Sequence, residues 1–146
     1  SAGREPQAAG PGMSAAAQGL ARWHAVIEGG SDPAALSAIM REDAVFHSPV
    51  VHTPQVGRPI VTAYLAAAGK TLGNASFRYL REVVDGNTAV LEFATEMDGI
   101  HVNGIDMITF DDDGLITDFK VMVRPLKAVN KVWEAMAAQL ERAKSG

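Results

Sequence analysis

The stretch from His101 to Pro125, HVNGIDMITFDDDGLITDFKVMVRP, constrains this chain more than any other, because it reads as two long strands that turn at Asp113-Gly114. A strand alternates its side chains between two faces, so Val102, Gly104, Asp106, Ile108 and Phe110 share one of them. One carboxylate is therefore set in an apolar row. A face of that kind has to be covered, and the remainder of the chain must supply the cover.

With 146 residues, 47% of them hydrophobic and 21% charged, the chain has the makings of a single domain with a substantial core. Its net charge of -4 offers no cationic surface for nucleic acid or an anionic membrane, which removes both as expected partners. The absence of cysteine excludes disulfides, thiolate catalysis and Cys-ligated zinc, and asks for no oxidising compartment. No apolar run approaches the roughly 18–20 residues of a membrane span, and no signal-like segment opens the sequence. The expectation is a soluble, cytoplasmic protein.

Residues 1–12, SAGREPQAAGPG, read as a tag or tail ahead of an initiator at Met13, with one domain over 13–146. From Ser14 the pattern predicts a helix carrying Leu20, Trp23 and Ile27 on one face and ending at Gly29-Gly30. Asp32-Pro33 then opens a short second helix. Ala44 to Ser48 is a strand that Pro49 stops, residues 49–59 are a loop, and a third helix starts at Pro59. Phe77 to Asp85 and Thr88 to Asp98 are strands, the second with Leu91, Phe93 and Met97 inward; a final helix aligns Val129, Val132, Trp133, Met136 and Leu140. The order α-α-β-α-β-β-β-β-α is that of an α+β domain with helices on one side of an antiparallel sheet.

That order, with EDAVFHSPV (42–50), GRPIVTAYL (57–65) and the spacing from Ile105-Asp106 through Phe110 to Gly114-Leu115-Ile116, resembles the nuclear transport factor 2-like superfamily and its SnoaL-like proteins. The resemblance spans roughly residues 16–126. It implies a cystatin-like cone, a curved antiparallel sheet packed against N-terminal helices around a deep apolar cavity, and dimerisation through the outer face. It also implies where chemistry would sit. The ketosteroid isomerase position of the general base, an aspartate before a proline, is Ser48 here; its oxyanion-hole tyrosine corresponds to Trp23, and its protonated aspartate to Asp106 with Phe110. The acid/base aspartate that SnoaL-type cyclases and limonene epoxide hydrolase-like enzymes carry after the last turn falls on Val121, and the hydrolase's other polar pair falls near Phe93 and Thr95.

Asp106 is thus the candidate catalytic group, a carboxyl whose pKa desolvation would raise so that it donates or accepts a proton near pH 7. The competing arrangement has it on the outer side of the sheet, paired with a cation. His47 is a second candidate acid/base, although alternation turns it away from Phe46 and Ser48; His52 sits in the same loop. The histidines lack the spacing of a metal site, and no metal or cofactor is expected. Trp23, Phe46, Tyr64, Tyr79, Phe93 and Phe119 are candidate cavity aromatics, with Ser48 as a hydrogen-bonding group and Val121 beside them. The DDDG run, 111–114, is a solvated turn rather than a calcium loop. Expected partners are an apolar small molecule and a second copy, because the strand over 115–124 is expected to place Ile116 and Met122 among Asp118, Lys120 and Arg124 on its outer face. Three readings stay open: an isomerase, cyclase or lyase using Asp106, a non-catalytic binding module for an apolar ligand, which the loss of the usual acid/base set favours, and a dimerising structural domain.

Overall fold

A computed structural model describes residues 14–145. The expected tail and the start at Met13 lie outside the described residues. The elements are α1 (Ala15–Glu28), α2 (Pro33–Ala38), β1 (Met40–His47), β2 (Gln55–Val56), α3 (Arg58–Leu72), β3 (Arg78–Asp85), β4 (Thr88–Met97), β5 (Ile100–Phe110), β6 (Ile116–Arg124) and α4 (Leu126–Ser145). None of the described helices is long and apolar enough to cross a membrane.

Local chemistry sets the helix ends. Ser14 Oγ accepts from the Ala17 N–H at 3.1 Å to start α1, and an Asp32 carboxylate oxygen does the same for Ala35 at 3.1 Å, with Pro33 in the first turn of α2. The third helix begins one residue before the expected Pro59. Two further boundaries differ. β1 starts at Met40, four residues early, because a register irregularity between Met40 and Val45 lets it pair along β6 past the charged Arg41–Asp43 segment. The loop expected over 49–59 contains β2, whose two residues pair with Val45 and Phe46.

The sheet is curved and open, in the order β2-β1-β6-β5-β4-β3. β3 to β6 form an antiparallel meander, whereas β1 runs parallel to β6. The sheet is therefore mixed, not antiparallel throughout. A helix and four strands separate β1 from β6 in sequence, and only a long connection of that kind allows a parallel pairing.

The helices cover the concave face, where Phe46, Phe93, Phe110 and Phe119 are fully buried. Each such ring contributes about 1.5–3 kcal/mol relative to exposure. Ile116 belongs to this face rather than to the outer one expected of it, because the β5–β6 register shifts between Thr109 and Phe110 and turns Ile116 inward while Met122 stays outside. Trp133 leaves the expected core face of α4. The helix packs through the narrow stripe Ala128, Val132 and Met136, and Trp133 is 58% exposed.

Candidate active site

Asp106 lies on the concave face, between two apolar neighbours in register, Leu91 on β4 and Val121 on β6. Only 7% of its surface is accessible. Two residues back along β5, Gly104 pairs with Phe93, and a Cβ at Gly104 would strike the Phe93 ring and the Met122 carbonyl oxygen. The missing side chain leaves room for the Phe93 ring against β5, and Phe93 and Asp106 line the same cavity. Tyr79 pairs with Phe93 from β3, so its phenol reaches along the same wall, and its Oη donates to Asp106 Oδ2 at 2.6 Å. Trp23, brought over the sheet by α1, donates from Nε1 to that Oη at 3.1 Å and packs its ring on Phe119 with centroids 4.8 Å apart. Indole, phenol and carboxyl form one chain of hydrogen bonds that runs from helix to sheet.

The electrostatics follow from this packing. Burial pushes the Asp106 carboxyl up from its usual acidic range to about 7, and the bond from Tyr79, which favours the anion, offsets only part of that rise. Burial and the neighbouring Asp106 charge push Tyr79 in the same direction, so its phenol stays protonated and remains a donor. Oδ2 is occupied by Tyr79, and among the described residues Oδ1 carries no hydrogen bond. That oxygen is the one open to the cavity.

The cavity holds about 130 Å³ and is bounded by the concave sheet, α1, α3, α4 and the turn after α1. Trp23, Phe46, Ser48, Tyr79, Phe93, Phe119 and Val121 line it together with Asp106. Tyr64 stands behind that wall, against Phe46 with ring centroids 5.4 Å apart. His47 is on the opposite face of β1, where its Nε2 meets Asp118 Oδ1 at 2.8 Å, so the structure does not bring it to Asp106. The period of two along β1 requires this, since Phe46 and Ser48 take the inner positions. Ser48 Oγ accepts from the Val50 N–H at 3.1 Å. Sequence reasoning missed Ser31, Gly69, Val132 and Met136 as lining residues. The helical pattern marked Val132 and Met136 as core, and a core stripe and a cavity wall have the same signature in sequence. Asp111 Oδ1 accepts from the Asp113 and Leu115 N–H groups and so closes the β5–β6 turn. Among the described residues no cluster of three His, Asp or Glu side chains is placed to hold a metal ion.

The model of the SnoaL-like domain matches residues 20–119, which include Trp23, Tyr79 and Asp106. The chain belongs to the SnoaL-like domain family. The crystal structure of a steroid delta-isomerase from Pseudomonas aeruginosa is 38% identical to this SnoaL-like domain, covers 93% of this chain and 98% of its own, and superposes with a TM-score of 0.85. An uncharacterised bacterial protein with a cystatin-like fold from Silicibacter pomeroyi is 33% identical over 83% of this chain and 84% of its own, with a TM-score of 0.76. A putative polyketide cyclase from Sinorhizobium meliloti, 20% identical over 72% of this chain and 94% of its own with a TM-score of 0.58, shares the fold. No curated protein matches the chain.

Proposed function

We propose that this SnoaL-like domain binds a compact, mostly apolar, oxygen-bearing molecule and acts on it through Asp106, as an isomerase, cyclase or lyase whose chemistry begins by protonating or polarising that oxygen. The observation that carries the reading is the buried carboxyl itself, with Oδ2 tied to Tyr79 and Oδ1 facing the cavity. A carboxyl that titrates near 7 is neutral often enough to donate from Oδ1 and basic enough to take the proton back. Tyr79 and Trp23 position it, and His47 has no part. The volume suits a single ring, being close to the ~150 Å³ of an apolar cavity that admits benzene.

A non-catalytic binding role is the second reading, favoured by one fact. Asp106 and Tyr79 are the titratable side chains among the lining residues, and the Ser48 hydroxyl, already engaged by Val50, is no substitute for a second proton acceptor. Acetophenone in deuterated buffer separates the two. Saturable binding that weakens above about pH 7, with Asp106→Asn flattening the profile and Asp106→Leu weakest of all, is expected of both readings; catalysed deuterium entry at the methyl carbon is expected of the first alone. Affinity that ignores pH in the wild-type protein would remove Asp106 from either role.

A further inference from the structure

The turn between α1 and α2 presents a second polar group to the cavity. Ser31 follows Gly30 with φ at +57°, in the left-handed region that costs a non-glycine residue about 1 kcal/mol. It is 7% exposed and lines the cavity, yet none of the described residues hydrogen-bonds its hydroxyl. Thr62 Oγ1 is the fully enclosed side-chain polar atom left without a partner among the described residues, so Ser31 Oγ keeps accessible surface and can be reached by a group in the cavity. The backbone cost would vanish with glycine, the residue already present at 29 and 30. The backbone around it is fitted to this side chain: α3 carries Gly69 against it, and a Cβ there would come within 2.6 Å of Ser31 Cβ and 2.7 Å of Oγ. Asp106, by contrast, belongs to the sheet wall. Trp23, bonded to Tyr79 at the Asp106 end, sits more than a turn before the end of α1, and Ser31 follows that end, so the two polar groups meet the cavity from different walls.

From this juxtaposition we infer that Ser31 is a ligand-binding residue, and that the molecule held in the cavity carries two oxygen functions at opposite ends, one facing Asp106 and the other hydrogen-bonded to the Ser31 hydroxyl. The inference rests on the cavity reading above and narrows its ligand class to ring compounds such as hydroxy-ketones. A ligand with one oxygen covers the Ser31 hydroxyl without offering it a bond, and is discriminated against.

A matched pair of probes tests it, para-hydroxyacetophenone and para-methylacetophenone, titrated against the full chain at about pH 6 by amide chemical shifts. An apolar wall would favour the methyl compound. The wild-type protein is expected to bind the hydroxyl compound about tenfold more tightly, a difference of about 1.4 kcal/mol. Ser31→Ala and Ser31→Gly should each abolish or reverse that preference while changing the affinity for the methyl compound less than about twofold. Ser31→Gly also relieves the backbone, so it folds at least as well as the wild type and keeps the comparison clean. A wild-type preference for methyl, or a hydroxyl preference that survives both substitutions, overturns the role of Ser31 while the cavity reading stands. Failure of the wild type to bind either ketone overturns both. Should Asp106→Asn leave both affinities unchanged while the Ser31 variants lose the preference, Ser31 is upheld and the reading of Asp106 falls.

Discussion

Tyr79 Oη lies 2.6 Å from Asp106 Oδ2, a donor from one strand locked onto a buried carboxyl two strands away. This bond favours the charged form of Asp106, and burial favours the neutral form more strongly. The balance between the two gives the site its character.

The first prediction is a titration. Carboxyl-carbon NMR of Asp106 should show an apparent pKa of about 7. Tyr79→Phe deletes the bond that stabilises the anion, so the pKa should rise further in that variant. A wild-type value below the ordinary aspartate range would mean a cationic partner and would end the case for Asp106 as a proton donor.

The second follows by linkage. The folded-state pKa lies above the unfolded one, so the native protein holds the extra proton between about pH 4 and 7. The contribution of Asp106 to stability is therefore fully present below about pH 4, is lost as pH rises towards 7, and stays lost above it. The loss amounts to as much as roughly 4 kcal/mol. Asp106→Asn keeps the shape and an acceptor for Tyr79 without the charge, so urea unfolding at pH 8 should find it more stable than the wild type, with the two converging near pH 4. Parallel stability curves for wild type and variant would contradict the assignment.

The direction of Asp106 was legible in the sequence because alternation holds without interruption from Ile100 to Phe110, so Val102, Ile108 and Phe110 point the same way as the carboxyl. Ile116 was not, because the bulge that reverses it depends on pairing between strands and leaves no mark in composition. Tyr79 read as one aromatic among several. Its bond to Asp106 depends on the registers Tyr79 to Phe93 and Phe93 to Gly104, which no local pattern specifies. Ser31 was hidden for a similar reason: a serine after two glycines reads as a turn, and only the packing of α3 against it shows a side chain held in the cavity wall.

A third prediction concerns steroids. The Ser48 hydroxyl, at the place where the resemblance to ketosteroid isomerase expects an aspartate, cannot accept a proton near neutral pH, and it is already bonded to the Val50 N–H. A cavity of about 130 Å³ is also small beside the roughly 300–1,000 Å³ of typical ligand sites. The protein should give no appreciable isomerisation of a Δ5-3-ketosteroid in an ultraviolet absorbance assay at pH 7. Turnover well above the buffer rate would show that another group supplies the base.

The last prediction is a homodimer through the convex face of the sheet. Val83, Val90, Ile105 and Met122 form an apolar strip there across β3, β4, β5 and β6, lining a shallow groove with Arg81, Glu92, Asn103 and Arg124. Arg81 and Glu92 are joined at 2.6 Å, and Met122 is 48% exposed. An apolar centre with a hydrogen-bonding rim is the anatomy of a protein interface, and a stable pair would cover about 800 Å² on each copy. Light scattering at micromolar concentration should give twice the chain mass. Met122→Lys places a cation in the centre of the strip and should shift the protein to monomer, raising the dissociation constant by at least about tenfold. Its side chain points away from the cavity, so acetophenone affinity should be unchanged in the monomeric variant. A monomer mass for the wild type removes the dimer. A dimer undisturbed by Met122→Lys would place the contact elsewhere, with the exposed Trp133 and Leu126 of α4 as the next surface to substitute.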